Sequence, residues 1–177
     1  LLRDVPAKKI LAVNFFTMAA TLLIISPLFY KFVFSWQSIS LVVVIAAIDT
    51  LANYFYFKTF EKTEASVAIP LLSLAPAITF LFSAIFLKEF PSLISMGAAL
   101  IIIALIVFIS ADWKQWPKLS TDTLYPALAS AFLFGVSAIP SKYLLFSLEA
   151  TNAPTLYMLR AALIALFVLM VFKDSFS

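Results

Sequence analysis

The sequence predicts an all-α fold, a polytopic membrane helix bundle with six transmembrane helices, and three observations carry that prediction. Long apolar runs succeed one another from Ile10 to Lys173 with almost no charge inside them. Hydrophobic residues make up 64% of the chain and charged residues 12%, too few polar side chains to cover a water-facing surface. The segments between the runs are too short to hold an extramembrane domain.

A helix needs about 17–25 residues to cross about 30 Å of hydrocarbon. Ile10–Tyr30 meets that length with no Asp, Glu, Lys or Arg, and it is too long for the apolar core of a signal peptide. Ser38–Phe57 is broken only by Asp49. Ala65–Leu87 and Phe90–Ala111 are again free of charge, the first carrying Pro70 and Pro76. Thr123–Ser141 continues past Lys142 to Leu148 and holds Pro126, Gly135 and Pro140, and Ala150–Phe172 is broken only by Arg160. Proline inside a span costs a backbone hydrogen bond and kinks it, and the pair Pro70/Pro76 makes a bend in the third run the strongest expectation of this kind.

Five connections join the runs: Lys31–Gln37, Lys58–Glu64, Lys88–Phe90, Asp112–Asp122 and Glu149 with its neighbours. The longest, 112–122, gathers charge, proline and the headgroup-type aromatics Trp113 and Trp116, and is the expected boundary between structural halves. Alternating the sides puts Arg3, Lys8, Lys9, Lys58, Lys62, Lys114, Lys118 and Lys173 opposite Lys31, Lys88 and Lys142. The richer side belongs in the cytoplasm by the positive-inside rule.

Several chemistries are excluded or disfavoured by composition. The basic residues sit singly between helices and form no patch, which argues against a nucleic-acid partner. Without cysteine there is no disulfide framework or thiolate, and without histidine there is no imidazole base and no common metal ligand. No Gly-rich phosphate loop and no convincing nucleophile–base pair can be assembled, so neither catalytic residues, nor a metal, nor a cofactor is expected. Glu61 and Glu64 read as a solvated acidic turn.

From Tyr54 to Phe108 several signals follow in a fixed order: an aromatic-rich helix end, Ala65-Ser66, Leu74-Ala75-Pro76, a helix closing on Lys88-Glu89, and Gly97-Ala98 opening the next helix. This order resembles the EamA-like repeat of the drug/metabolite transporter superfamily, and Leu124–Phe172 looks like the opening of a second such repeat. The resemblance implies ten helices in two inverted five-helix repeats. Residues 1–111 would be most of the first repeat, 112–122 the inter-repeat loop and 123–177 the start of the second. The chain would then span helices two to seven, with one helix before Leu1 and three after Ser177. It departs from the family in holding only two glycines, Gly97 and Gly135. The usual family orientation puts the Lys31 and Lys88 side in the cytoplasm, opposite to the charge count, so orientation stays open.

Charge inside a span marks the candidate site residues, because a buried charge in hydrocarbon costs roughly 2.5 kcal/mol or more and usually faces a cavity or a partner. Asp49, Asn53 and Tyr56 lie at i, i+4 and i+7 and share one helix face, a polar wall in which Asp49 can take a proton or meet a cationic solute. The alternative is a structural Asp, protonated or paired to a neighbouring helix. Arg160 must be met by an anion, by carbonyls or by snorkelling to the interface, and its position a third of the way along its run favours snorkelling. Asn14, Thr17 and Thr21 form a polar row on the first run; Ser130, Ser137 and Ser141 form another on the fifth. Asn14 and Ser137 join the candidate substrate-binding residues.

The reading that follows is a multi-pass protein of the cell membrane, a secondary transporter of small metabolites or drug-like solutes by alternating access. Its partners are the lipid bilayer and a small-molecule substrate, with a coupling proton or ion compatible and the oligomeric state undetermined. An integral-membrane enzyme and a non-transporting scaffold are the alternatives.

Overall fold

The computed structural model describes residues 6–88, 92–110 and 121–171, with the side chains of 107, 109, 110 and 123 excepted. Among these residues there is no strand, only helices: α1 Ala7–Ile25, α2 Trp36–Lys62, α3 Ala65–Leu72, α4 Ala75–Phe86, α5 Leu93–Ser110, α6 Thr121–Lys142 and α7 Ala153–Val171. A 3₁₀ turn, Ser26–Leu28, extends α1, and a π-helical turn, Tyr143–Ser147, extends α6. Five stretches are long and apolar enough to cross a membrane: Ala7–Leu28, Trp36–Lys62, Ala65–Phe86, Leu124–Ser147 and Ala153–Val171. The run expected as a further span forms α5, of which Leu93–Ile106 is apolar but shorter. Trp113, Trp116, Glu89 and most of the 112–122 segment lie outside the described residues.

The end of the second helix differs from the sequence expectation. Lys58–Lys62 does not form a loop but continues α2, which runs for 27 residues. Glu61, expected in a solvated turn, accepts from the backbone N–H of Ala7, where a carboxylate offsets the unpaired donors and the positive dipole end of α1. The entry to α2 is set by Ser35, whose hydroxyl accepts from Ser38 N–H at 3.0 Å.

The run that carries Pro70 and Pro76, where a bend was expected, is interrupted. The third span divides into α3 and α4 at Ser73–Leu74: Pro70 lies inside α3 and offers no N–H to the carbonyl four residues back, and Pro76 stands in the first turn of α4. Ser73 hydroxyl bonds the Pro70 carbonyl at 2.7 Å and satisfies part of the interrupted ladder.

α2 is the central element. Its buried stripe, Val42, Ile45, Ala46, Asp49 and Ala52, repeats at helical spacing while Val43, Val44 and Leu51 face outward. Between α1, α2 and α7 lie Leu11, Ala12, Phe15, Ala19, Ala46, Ala161, Ile164, Ala165 and Val168, and the alanines let the helix backbones approach closely. Val42 and Ile45 meet Leu144 and Leu156 in a second cluster, and Val67, Leu71 and Ala127 join α3 to α6 in a third. α5 packs mainly on α3 and leaves Leu93, Ile94, Leu100, Ile101 and Ile102 exposed, as suits a helix that meets lipid.

At one end of the bundle the α1–α2 connection is clasped to the start of α7. Phe32 and Thr151 pair as an antiparallel bridge, and Val33 N–H donates to Ala150 O at 2.7 Å. Thr151 hydroxyl donates to Lys31 O at 2.9 Å, and Lys31 N–H donates to Thr155 Oγ1 at 3.0 Å. Asn152 serves both partners: its Oδ1 caps α7 at Thr155 N–H (2.9 Å) and its Nδ2 reaches Phe29 O (2.7 Å).

Candidate functional site

Asp49 lies at the midpoint of α2 with no exposed surface, so its charge must be met inside the protein. One carboxylate oxygen accepts from Ser137 Oγ of α6 at 2.5 Å, and the other is paired with Arg160 Nη2 of α7. Three helices therefore converge on one carboxylate. Arg160 does not snorkel: its guanidinium turns inward to Asp49, because an ion pair whose carboxylate is also held by Ser137 satisfies it without stretching to the interface. The guanidinium also stands 5.3 Å from the centre of the Tyr157 ring, a cation–π distance.

Beside this pair, and walled by α4, α6 and α7, lies a pocket of about 380 Å³. Its polar lining is Thr79 and Ser83 from α4, Ser137, Ser141 and Lys142 from α6, and Arg160 from α7. Phe134, Ala138, Leu145, Phe146, Leu156 and Tyr157 supply the apolar part. Size and mixed lining both fall in the range of small-molecule sites. Two local features shape the walls. Leu145 and Phe146 belong to the π turn that follows Pro140, in which Leu148 N–H reaches back five residues to Tyr143 O at 3.0 Å. Gly135 lets α4 lie against α6: a methyl group there would stand 2.5 Å from Ile78 Cγ2 and 2.7 Å from Ile78 Cβ.

The six residues singled out in the sequence separate in space. Ser137 and Arg160 line the pocket and Asp49 lies directly behind them, in contact with both. Asn53 and Tyr56 do not extend Asp49 into a wall of this pocket. Asn53 Nδ2 turns back to Asp49 O at 2.8 Å, and the Tyr56 ring sits among Phe57, Phe60 and Phe134. Asn14 is exposed on the outside of α1, in a groove with Lys9, Ile10, Val13 and Thr17. Ser130, in the same row as Ser137, is buried and donates to Ala52 O at 2.9 Å, a helix-packing bond.

Thr79 and Ser83 were absent from the sequence-derived set. They stand at i and i+4 on α4, a polar pair in a run otherwise almost wholly apolar, and that spacing was the available signal. Thr79 Oγ1 bonds Ala75 O at 3.0 Å and Gly135 O at 3.3 Å, tying the pocket wall to the close α4–α6 contact. Among the described residues no group of three acidic, histidine or cysteine side chains could hold a metal ion.

No curated protein and no solved structure matches the chain. The sequence profile of the EamA-like transporter family matches residues 1–111, which takes in α1 to α5 and therefore Asp49, Thr79 and Ser83. With that match over more than half its length, and with apolar helices fit to cross a membrane, the chain belongs to the EamA-like transporter family.

Proposed function

We propose that the protein is a secondary transporter of the cell membrane that carries small organic solutes by alternating access, with the α4–α6–α7 pocket as its solute site. The observation that carries this reading is the pocket itself. A cavity with hydroxyls and a guanidinium on its walls, set among helices that are otherwise apolar, is costly to maintain in a membrane unless a polar solute uses it. Arg160, Ser137, Ser83 and Thr79 touch the solute in this reading. Asp49 acts as a positioning residue that holds Ser137 and Arg160 in place, with Asn53 and Tyr56 supporting α2 behind it. Asn14 contributes a polar spot on the outer face of α1.

The family's paired inverted repeats, with the first ending near residue 111 and the second beginning near 123, accord with a pocket built from both sides of that boundary: α4 lies before it, α6 and α7 after it. α5 completes the set of six spans in this reading.

The test is flux. The full-length protein reconstituted in liposomes is expected to move at least one solute of a labelled metabolite panel, and Ala138→Phe, which fills the pocket from α6, is expected to abolish that movement. Turnover of a solute or lipid without translocation would replace the proposal with an enzymatic function.

A further inference from the structure

We infer that the solute carries a carboxylate, docked on the part of the Arg160 guanidinium that Asp49 leaves unused; the inference rests on the pocket being the solute site. Guanidinium presents five N–H donors in a rigid fork. Asp49 meets Nη2 with one oxygen only, its other oxygen being taken by Ser137. No further acceptor contacts the Arg160 guanidinium among the described residues, and its side chain remains 18% exposed on the pocket wall. A fork held on one tine within an apolar bundle is an incomplete arrangement, and a planar anion with two oxygens is the ligand shape that completes it.

Three further observations set the sign and the size. Among the described residues no Asp or Glu lines the pocket, so the lining holds no carboxylate to repel an anion. Asp49, the carboxylate behind the wall, has no exposed surface and is engaged on both oxygens, so it is not presented to a solute amine. The hydroxyl of Ser83 can donate to the same anion, whereas that of Ser141 donates to Ser137 O at 2.8 Å, and Phe134, Phe146 and Tyr157 offer an apolar and aromatic seat for the remainder of the molecule. The ligand class is a small organic monocarboxylate with an apolar body.

The chemistry is tested with three near-isosteric probes: 3-phenylpropionate, its amide and the corresponding 3-phenylpropylamine. Binding to the full-length protein in nanodiscs is measured by equilibrium dialysis. The carboxylate is expected to bind about tenfold tighter than the amide or more, the scale of one charge-assisted hydrogen bond, with the amine weakest. Arg160→Lys keeps a cation opposite Asp49 but removes the fork, and is expected to erase the preference while the protein stays folded by its elution profile. Equal binding of acid and amide, preference for the amine, or a preference that survives Arg160→Lys would each overturn the inference. If the amide or amine binds best and Ala138→Phe blocks it, the carboxylate assignment falls and the pocket stands. If none binds, or Ala138→Phe leaves binding intact, the pocket falls as the solute site and the inference with it.

Discussion

Ser137 on α6 donates to Asp49 on α2 at 2.5 Å while Arg160 on α7 holds the second oxygen of the same carboxylate, so a single acidic side chain fixes the relative positions of three helices. Neither basic nor acidic partner is affordable alone in the interior of a membrane bundle, and the two charges explain one another. The consequences of removing either are asymmetric with removing both.

Asp49→Asn leaves Arg160 without its counter-charge and is expected to lower stability strongly, by about 3–5 kcal/mol if the pair behaves as a buried ion pair. Asp49→Asn combined with Arg160→Gln is expected to recover much of that loss. Thermal unfolding of the detergent-solubilised protein, run as a double-mutant cycle, reads the coupling; additive losses would mean that the two charges act independently.

Gly135→Ala places a methyl group against the backbone-proximal Cβ of Ile78, which cannot move aside as a flexible chain end would. Overpacking of this kind costs typically about 1–3 kcal/mol. Gly97 has nothing within 4 Å of the same added methyl, so Gly97→Ala is the matched control and is expected to be neutral or slightly stabilising, as alanine is the better helix former. Comparable melting shifts for the two variants would contradict the close contact of α4 with α6.

The serines of α6 are expected to divide by role. Ser130→Ala removes a buried bond to Ala52 O and should cost about 0.5–1.5 kcal/mol with transport per folded molecule unchanged. Ser141→Ala alters the pocket wall and should change the solute KM with little effect on melting. Flux and melting temperature measured on both variants separate the two; a KM change in Ser130→Ala would place a packing residue in the site.

Asn152→Ala removes both the cap on Thr155 N–H and the bond to Phe29 O. The loss of a helix cap alone is worth about 1 kcal/mol. Hydrogen exchange at Lys31 and Val33, whose N–H groups are held by Thr155 and Ala150, is expected to accelerate before exchange in α1 or α2 does. Unchanged protection there would mean that the bridge, not Asn152, holds the clasp.

Much of the architecture was legible because membrane helices are written in long uncharged runs, and the interruption of one of them was legible because Pro70 and Pro76 stand six residues apart in it. Charge inside a span pointed correctly to Asp49 and Arg160 as residues needing partners. That each is the partner of the other was not legible: they are separated by three other helical runs, and one sequence holds no distance information between α2 and α7. The helical face shared by Asp49, Asn53 and Tyr56 is real, but a common face does not say which neighbour it meets, and here Asn53 bonds its own helix and Tyr56 packs among aromatic rings. Ser130 and Ser137 illustrate the same limit, since identical side chains in one row end in a packing contact and on a pocket wall.

The interruption at Ser73–Leu74 divides Ala65–Phe86 into two helical segments, which could act as levers on a common joint. α3 is anchored by Val67 and Leu71 against Ala127, while α4 carries Thr79 and Ser83. A helix of 12 residues is about 18 Å long, so a change in tilt of roughly 10° at the joint would carry its far end about 3 Å, close to the diameter of a water molecule. Gly135, against which the Ile78 side chain of α4 packs, lies where such a lever would bear. Such a tilt would move the pocket's third wall and break the bond of Thr79 to Gly135 O, yet leave the carboxylate knot of α2, α6 and α7, to which α4 contributes no residue, in place.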